Sequence, residues 1–408
     1  MVDGQGPLSG ITVLDLSRIL AAPTCTQLLG DLGAVVIKIA APGKGDDTRN
    51  WGPPFLHDAD GNETDQSAYF LSSNRNKRSV TVNLAHAQGQ KIMRDLAAQA
   101  DILIENFKVG GLAKYGLAYA DLAASHPHLI YCSLTGFGQT GPYAPRPGYD
   151  FIVQGMGGMM SLTGEPDGQP MKVGVGIADV MCGMYAASAI LACLHERQAS
   201  GQGQHIDIGL LDSQVAWLIN EGCNYLVSGD IPQRRGNAHP NIVPYEAFEA
   251  SDGWIILAVG NNGQFERFLA FAGAPELAKD PRFATNDLRV RNRLALIPLV
   301  AELVKQKTQS AWLDGLASRN VPCGPVNNLE QVFTDEHILA RDMRIEMNHP
   351  YRSGETVSLI GNPLKLSRTP VTYRQPPPRL GEHTDIVLEQ RLGLDADARA
   401  ALRADGVI

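Results

Sequence analysis

Asp179 is the residue whose type and position most readily suggest chemistry. It follows the glycine-rich run 174–178 and opens a long apolar helical pattern that extends to Gln198. A carboxylate at a helix N-terminus accepts unpaired backbone N–H groups and gains from the helix dipole, so this position predicts that its ionised form is favoured. Spacing alone favours a helix cap, because aspartates are common at helix starts, and it leaves a reactive carboxylate as the alternative.

Two further segments carry groups that could bind an anion or stabilise an oxyanion. The loop 260–264 follows a predicted strand, and its glycines, Gly260 and Gly263, would let backbone N–H groups approach a ligand closely. Three cations lie within residues 75–78, and Arg49 lies two residues before Trp51. An ordinary turn explains the loop. A solvated face explains the cations about as well as a phosphate or carboxylate clamp does.

Several common functional motifs are missing or incomplete. Residues 136–141 match the glycine spacing of a dinucleotide-binding loop, but Pro142, Pro145 and Pro147 forbid the helix that must follow, which leaves a turn. The sequence contains no Gly-x-x-x-x-Gly-Lys loop, no Gly-x-Ser-x-Gly elbow and no His-Glu-x-x-His helix. Histidines and acidic residues show no metal-ligand spacing, so the sequence predicts no metal site.

The elements that must position these residues alternate between strands and helices. Apolar or β-branched runs predict strands over 12–16, 34–39, 101–104, 129–134 and 205–208. Helical spacing predicts helices over 23–32, 89–99, 178–198 and, near the C-terminus, 383–390. Near-continuous apolar strands separated by helices predict an α/β fold with a parallel sheet covered on both faces.

The chain is also long enough to contain more than one domain. With 408 residues it exceeds one compact core, and its character changes after about Tyr225, where the segment 231–244 carries three prolines. A second unit then opens with a predicted strand over 254–259. We therefore predict a large α/β domain over 1–225, a linker and smaller α/β domain over 226–329, and a C-terminal return to the large domain over 330–408.

Charge and hydropathy exclude several classes of partner. The net charge of -8 argues against binding to nucleic acid or to an anionic membrane, because both are polyanions. No stretch approaches the roughly 18 to 20 apolar residues of a membrane span, and the N-terminus has neither a charged signal-peptide start nor an arginine-rich transit sequence. Six scattered cysteines without a Cys-x-x-Cys pair indicate reduced thiols. The expected compartment is the cytosol.

Short stretches spread over nearly the whole chain form an ordered set. They are VLDL at 13–16, DLGAVVIK at 31–38, GDDTR at 45–49, NKRS at 76–79, ENF at 105–107, GYD at 148–150 and GEHT at 381–384. Together they resemble the class III CoA-transferases, a family that includes formyl-CoA transferase, carnitine CoA-transferase and alpha-methylacyl-CoA racemase. The resemblance implies a large Rossmann-like domain, a small domain, and a homodimer of two interlocked ring-shaped chains. It implies CoA thioesters as substrates and no further cofactor.

The resemblance also implies roles for individual residues. Asp179 would be the nucleophile that carries the acyl and CoA groups, with oxyanion stabilisation from backbone N–H groups at Gly260 and Gly263. Positions along the CoA groove are Arg18, Asn106, Lys114 and Arg78. In one respect the chain departs from the family: Ala40-Ala41-Pro42 stands where relatives often have an acidic and then a basic residue, so a cation that helps to hold the CoA nucleotide is either missing or supplied elsewhere.

Substrate choice rests on three longer runs, GNAHPNIVPY at 236–245, VGNNGQF at 259–265 and NDLRVRNR at 286–293. Within the family they imply transfer of CoA from succinyl-CoA to a dicarboxylic acid such as glutarate. The unreacted carboxylate of such an acid requires a cation, and Arg75 is our first choice. The other candidate substrate-binding residues are Arg18, Arg49, Tyr149, His239 and Gln264.

Two alternatives to a transferase remain. An acyl-CoA racemase needs two acid/base groups, and the racemase branch has a histidine where this chain has Tyr149. A CoA-binding protein without catalysis is the other alternative, and the joint presence of Asp179, the glycine loop and the groove positions argues against it.

Overall fold

The computed structural model describes residues 5–352 and 354–408. Its strands are β1 Thr12–Asp15, β2 Val35–Ala40, β3 Phe55–His57, β4 Glu63–Ser67, β5 Lys77–Thr81, β6 Ile102–Glu105, β7 Ile130–Thr135, β8 His205–Gly209, β9 Tyr245–Glu249, β10 Trp254–Ala258, β11 Cys323–Pro325, β12 Arg344–Asn348 and β13 Thr356–Ile360.

Its helices begin with α1 Ala21–Asp31, α2 Ala68–Ser72, α3 Ala87–Ala97, α4 Tyr119–Leu122, α5 Asp150–Met156, α6 Met159–Leu162, α7 Ile177–Ser200, α8 Leu210–Ala216 and α9 Ile219–Ser228. They continue with α10 Asn262–Ala272, α11 Asn286–Arg291, α12 Arg293–Val304, α13 Gln309–Ala317, α14 Leu329–Thr334, α15 Glu336–Ala340, α16 Thr384–Leu392 and α17 Ala396–Ala404.

A parallel six-stranded sheet forms the centre of the larger unit, in the order β5-β2-β1-β6-β7-β8. Alternate residues of β1 enter different cores: Val13 packs with α1 and α7 on one face, and Leu14 packs with α3 and α16 on the other. Burial on both faces explains why the strands are apolar along their whole length. The predicted α/β fold with a parallel central sheet is confirmed.

The order of the strands determines where a ligand can bind. In chain order, β1 is followed by β2 and then β5 toward one edge of the sheet. The strand β6 lies on the other side of β1 and is followed by β7 and then β8 toward the opposite edge. At such a reversal, the loops after neighbouring strands diverge and leave a crevice at the carboxyl ends of the strands. The segment after Asp15 and the segment after Glu105 therefore border a natural cleft.

Helix α7 corrects one statement made from the sequence. An 18-residue window within Ile177–Ser200 reaches a mean hydropathy of 1.8, so this helix is long and apolar enough to cross a membrane, which the sequence analysis had excluded. It packs in the core instead, with Cys182, Ala186 and Ile190 fully buried. Gly183 lets it approach α1, because a Cβ at this position would lie 2.4 Å from the Ala21 carbonyl oxygen. This packing accounts for one face of the helix, while Met184, Tyr185 and Leu191 on α7 remain exposed.

A second compact unit comprises Gly158–Lys172 and Leu218–Asp335. It contains the antiparallel sheet β11-β10-β9, and Ile255 and Leu257 of β10 pack with Phe268 and Trp312 in a core of its own. The segment 158–172, which we had assigned to the first domain, belongs here, because Gly236 N–H donates to the Gly164 carbonyl and the Arg234 side chain donates to the Gly168 carbonyl. The boundaries at 225 and 329 correspondingly become Trp217 and Asp335.

Candidate active site

A cleft of 190 Å³ opens at the carboxyl ends of β1, β6 and β7. Among its lining residues are Arg18, Asn106, Phe107, Thr135, Tyr149 and Asp179. The first four follow or end strands of the central sheet, and Tyr149 and Asp179 lie at the starts of α5 and α7. The structure therefore brings together four of the residues that the sequence had singled out, namely Arg18, Asn106, Tyr149 and Asp179.

The start of α7 is capped by a residue other than the predicted one. The helix begins at Ile177, so Asp179 is its third residue and cannot be the N-cap. Asp150 supplies the capping oxygen: its Oδ1 accepts the Ala178 N–H at 2.8 Å, while its Oδ2 accepts the Gln154 side-chain amide at 2.8 Å. Among the described residues, none donates a hydrogen bond to the Asp179 carboxylate. The helix-cap interpretation of Asp179 is therefore wrong, and its carboxylate is left for another role.

The pKa of the Asp179 carboxyl also differs from what the sequence predicts. Burial raises the pKa of Asp179 to about 7, and the charge of the neighbouring Asp150 adds to the increase. The prediction that a helix start favours the ionised form is wrong for this carboxylate, because desolvation without a hydrogen-bond donor outweighs the dipole. At neutral pH a large fraction is ionised, and that anion is poorly solvated, as a reactive nucleophile must be.

Two tyrosines lie near Asp179. Tyr149 lines the cleft with its side chain 55% exposed, which leaves the ring available to a ligand. Burial, followed by the charges of Asp179 and Asp150, raises the pKa of Tyr69 on α2, and the Tyr69 ring packs edge-on against Trp51 at 5.2 Å. The sequence analysis gave no role to Asp150 or Tyr69. Asp150 could have been noticed beside Tyr149, whereas nothing in the local sequence places Tyr69 here.

Arg18 and Asn106, which come from different strand ends, are held together by two hydrogen bonds. The Asn106 side chain accepts the Arg18 N–H at 2.9 Å and donates to the Arg18 carbonyl at 2.7 Å. The Arg18 guanidinium pairs with Asp47 at 2.7 Å and remains 43% exposed. A partly exposed cation beside a partly ionised carboxylate can hold the carboxylate or thioester carbonyl of a substrate.

A second cavity, of 270 Å³, shares Arg18 and Phe107 with the cleft. It is lined also by Ala40, Ala41, Lys44 and Tyr115. Lys44 thus supplies a cation beside the two alanines at which the chain departs from the family that it resembles. Lys114 is exposed, with its Nζ 4.7 Å from the centre of the Tyr115 ring. Arg78 lies on β5. Burial lowers the pKa of His383, the charge of Glu382 opposes this change, and the charge of Arg78 adds to the lowering.

Arg75 and Arg49 are buried, and their guanidinium groups contact protein groups. Arg75 donates to both oxygens of Asp31, at 3.0 and 2.5 Å, and to the Ile360 carbonyl at 2.8 Å. Arg49 donates to the Pro378 carbonyl at 2.8 Å, and its guanidinium carbon lies 3.8 Å from the centre of the Phe70 ring. The solvated-face interpretation of the cation cluster is wrong, because Arg75 and Lys77 are 4% and 0% exposed. A substrate carboxylate would have to compete with Asp31 for Arg75.

The remaining predicted residues lie in the second unit. Gly260 N–H donates to the Gln264 side-chain oxygen at 2.8 Å, and Asn261 caps α10 by accepting the Gln264 N–H at 2.9 Å. Gly263 lies in the first turn of α10. His239 lines a separate cavity of 380 Å³ with Arg234, Arg235, Arg293 and Glu246. The roles of Gly260, Gly263, Gln264 and His239 remain predictions.

Comparison with known proteins identifies the family. The sequence profile of CoA-transferase family III matches residues 8–384. The chain is 48% identical to a succinate–glutarate CoA-transferase of Agrobacterium fabrum, over 96% of this chain and 97% of that protein. It is 42% identical to succinyl-CoA:glutarate CoA-transferase of Mus musculus, over 100% of this chain and 91% of that protein.

A solved structure gives the same result for the fold. The crystal structure of a CAIB/BAIF family protein from Brucella suis superposes with a TM-score of 0.83 at 48% identity, covering 95% of this chain and 100% of that one. The family profile spans Arg18, Asn106, Tyr149 and Asp179, the residues that meet in the cleft. This chain belongs to CoA-transferase family III.

Proposed function

We propose that the protein transfers CoA from succinyl-CoA to a dicarboxylic acid such as glutarate, with Asp179 as the nucleophile. The observation that carries the proposal is a carboxylate with a raised pKa, to which no residue in the described part of the chain donates a hydrogen bond, in a cleft that also contains Arg18. The named relatives at 42% and 48% identity supply the choice of donor and acceptor.

The reaction proceeds through covalent intermediates on Asp179. The carboxylate attacks the thioester carbonyl of succinyl-CoA, which forms a mixed anhydride and releases the CoA thiolate. The thiolate attacks the aspartyl carbonyl, which forms an aspartyl-CoA thioester and releases succinate. The acceptor carboxylate then attacks this thioester, giving a second mixed anhydride and the thiolate. Attack of the thiolate on the acceptor's acyl carbon yields the new acyl-CoA and regenerates the Asp179 carboxylate.

Side chains in and near the cleft have parts in this reaction. Arg18 holds a carboxylate, because its guanidinium is partly exposed and its backbone is fixed by Asn106. Tyr149 and Tyr69 offer hydroxyl groups near the reacting carboxylate. Stabilisation of the oxyanions by the backbone N–H groups of Gly260 and Gly263 is carried by the family resemblance alone.

The decisive experiment is a search for the covalent intermediate. The full chain is mixed with succinyl-CoA, quenched, digested and analysed by mass spectrometry, with glutaryl-CoA production followed in parallel. We expect a CoA adduct on the peptide that contains Asp179, and none in Asp179→Ala. Glutaryl-CoA formation that persists in Asp179→Ala would rule out the assignment.

The racemase alternative has its own test. A racemase would exchange the α-proton of a 2-methylacyl-CoA with solvent, so incubation in D₂O would introduce deuterium. We expect no incorporation, because Tyr149 occupies the place of a second acid/base group. A CoA-binding protein without catalysis would show neither exchange nor transfer.

The cation that binds the distal carboxylate can be identified by comparing Arg18→Ala with Arg75→Ala. Since Arg75 is occupied by Asp31, Arg18→Ala should raise the KM for glutarate more, by about tenfold or greater. An increase that is larger in Arg75→Ala would restore our first choice from the sequence.

We propose further that the protein is a cytosolic homodimer. Large apolar side chains remain exposed on α7 and on α9, among them Met184, Tyr185, Leu226 and Val227, with Leu226 80% and Val227 89% exposed. Apolar surface of this kind is typical of a subunit interface. Light scattering on the purified chain should give twice the mass of 43.9 kDa, and a monomer would contradict the proposal.

A further inference from the structure

A row of polar side chains lies on three neighbouring strands of the central sheet. It consists of Glu105 at the end of β6, Ser133 on β7 and His205 at the start of β8. Ser133 is the cross-strand neighbour of Glu105, and its Oγ lies 3.0 Å from His205 Nε2. None of these three groups has a part in the transfer chemistry described above.

Glu105 is the carboxylate of this row of side chains, and it is buried. It is 6% exposed, and burial raises its pKa, although hydrogen bonds from Ser133 and from a backbone N–H oppose the change. That N–H belongs to Phe107, which donates to Glu105 Oε2 at 2.7 Å. Burying a carboxylate lowers the stability of the fold unless its oxygens accept hydrogen bonds. A glutamate at this buried position therefore suggests a role that an apolar residue could not fill.

The groups around Ser133 restrict its position beside Glu105. The His205 ring stacks on Tyr119 at 4.8 Å and meets Tyr131 edge-on at 5.5 Å. Its Nε2 lies 3.0 Å from Ser133 Oγ, so a ring packed against two tyrosines restrains the serine hydroxyl. Ser133 is the cross-strand neighbour of Glu105, so this hydroxyl is held next to the carboxylate.

The segment fixed by Glu105 forms one wall of the cleft. Phe107, Lys108 and Val109 all line the 190 Å³ cleft that contains Asp179, and Phe107 also lines the adjoining 270 Å³ cavity. Asn106, between Glu105 and Phe107, holds the backbone of Arg18. The direction in which this segment leaves β6 therefore determines the positions of both Phe107 and Arg18.

We propose that Glu105 is a positioning residue for CoA binding: its carboxylate accepts the Phe107 N–H and thereby fixes the segment 106–109 and, through it, Arg18. The proposal rests on the assignment of this cleft to the CoA thioester. It predicts that hydrogen bonding by residue 105, and not its charge, sets the affinity for CoA. Glutamine can preserve the contact, because its side-chain oxygen also accepts from the Phe107 N–H.

The test compares Glu105→Gln and Glu105→Met with Asp101→Leu as a matched control. Asp101 lies at the opposite end of the same strand, where it also accepts a backbone N–H, from Thr12 at 2.8 Å, and pairs with Arg197 at 2.8 Å. Loss of either carboxylate should lower the stability of the sheet, but only Glu105 is adjacent to the cleft. The dissociation constant for free CoA is measured by calorimetry, alongside kcat and KM for succinyl-CoA and thermal unfolding.

We expect Glu105→Met to weaken CoA binding and raise the KM for succinyl-CoA by about tenfold, with kcat reduced less than about threefold. Glu105→Gln should remain within about threefold of wild type for CoA binding, and Asp101→Leu should match wild-type affinity despite a lower unfolding temperature. If Glu105→Met and Asp101→Leu change affinity equally, or if Glu105→Gln is as weak as Glu105→Met, the proposal is overturned. Failure of the wild-type protein to bind CoA or transfer it would instead refute the proposed function.

Discussion

Asp15 and Asp179 are both removed from bulk water in the larger unit, yet their surroundings act on them in opposite directions. Asp15 is 0% exposed, and its oxygens accept hydrogen bonds from Ser17 and Thr26 and pair with Lys77 at 3.3 Å. Burial alone would raise its pKa, but Lys77, Lys38 and the hydroxyl donors lower it below the usual value. Asp179 is subject to burial and to the charge of Asp150, no residue in 5–352 or 354–408 donates to its carboxylate, and its pKa rises to about 7.

The difference shows how one residue type serves structure in one place and chemistry in another. Around Asp15 the hydrogen-bond donors favour the ionised carboxylate in the folded state. The partner cation is affected as well, because burial lowers the pKa of Lys77 to about 7, although the charge of Asp15 opposes the change. Around Asp179 the protein leaves the anion unsatisfied. Such a carboxylate reduces stability, and it is available to attack an electrophile.

The largest effect should come from removing the reactive carboxylate. Asp179→Ala is expected to reduce CoA transfer at least about 1,000-fold, because no other group in the cleft can form the anhydride. Asp397→Ala is the control, since Asp397 also lies in the first turn of a helix, α17, but is exposed. Steady-state turnover with succinyl-CoA and glutarate measures both. Comparable losses in the two variants would refute a special role for Asp179.

The second effect concerns the structural carboxylate. Lys77→Met should lower the free energy of unfolding by about 3 kcal/mol at pH 7, because it removes the cation from a buried pair. Lys91→Met, which breaks the exposed pair with Asp95, should change it by less than about 0.5 kcal/mol. Urea unfolding followed by fluorescence or circular dichroism measures both variants. Equal small changes would mean that the Asp15 pair is not important for stability.

The third effect has the opposite sign. Since the folded pKa of Asp179 lies above the unfolded value of 3.8, the folded state binds more protons between about pH 4 and pH 7, and stability falls as pH rises through this window. Asp179→Asn should therefore be about 2 kcal/mol more stable than wild type at pH 8 and no more stable below pH 4. Unfolding curves at the two pH values test this, and a variant less stable at pH 8 would contradict it.

The smallest effect separates the two causes of the raised pKa. In the wild type, kcat/KM should fall about tenfold per pH unit below pH 7, as Asp179 becomes protonated. Asp150→Asn keeps an oxygen for the Ala178 N–H but removes the charge, so the acid limb should move down by about half a pH unit. An unchanged limb would assign the whole increase to burial.

Much of the fold could be predicted because its signals are local. Apolar runs identified β1, β2, β6, β7 and β8, and helical spacing identified α1, α3, α7 and α16, all to within about two residues. The strand β5 was missed, because Lys77 and Arg78 occupy it and polar residues do not resemble a buried strand. The hairpins β3–β4 and β12–β13 were also not located from the sequence, because strands of three to five residues give too short a pattern and the ETDQS sequence of β4 is polar throughout.

The sequence by itself determined the parallel α/β fold, the family and the prominence of Asp179, because these depend on periodicity and on ordered motifs along the chain. Only the tertiary structure decided what each charged group does. It assigned the helix cap to Asp150, surrounded Arg75 with Asp31 and the Ile360 carbonyl, and left Asp179 without a donor among the residues that the structure describes. Protonation and availability depend on burial and on partners distant in sequence, and these exist only once the chain has folded.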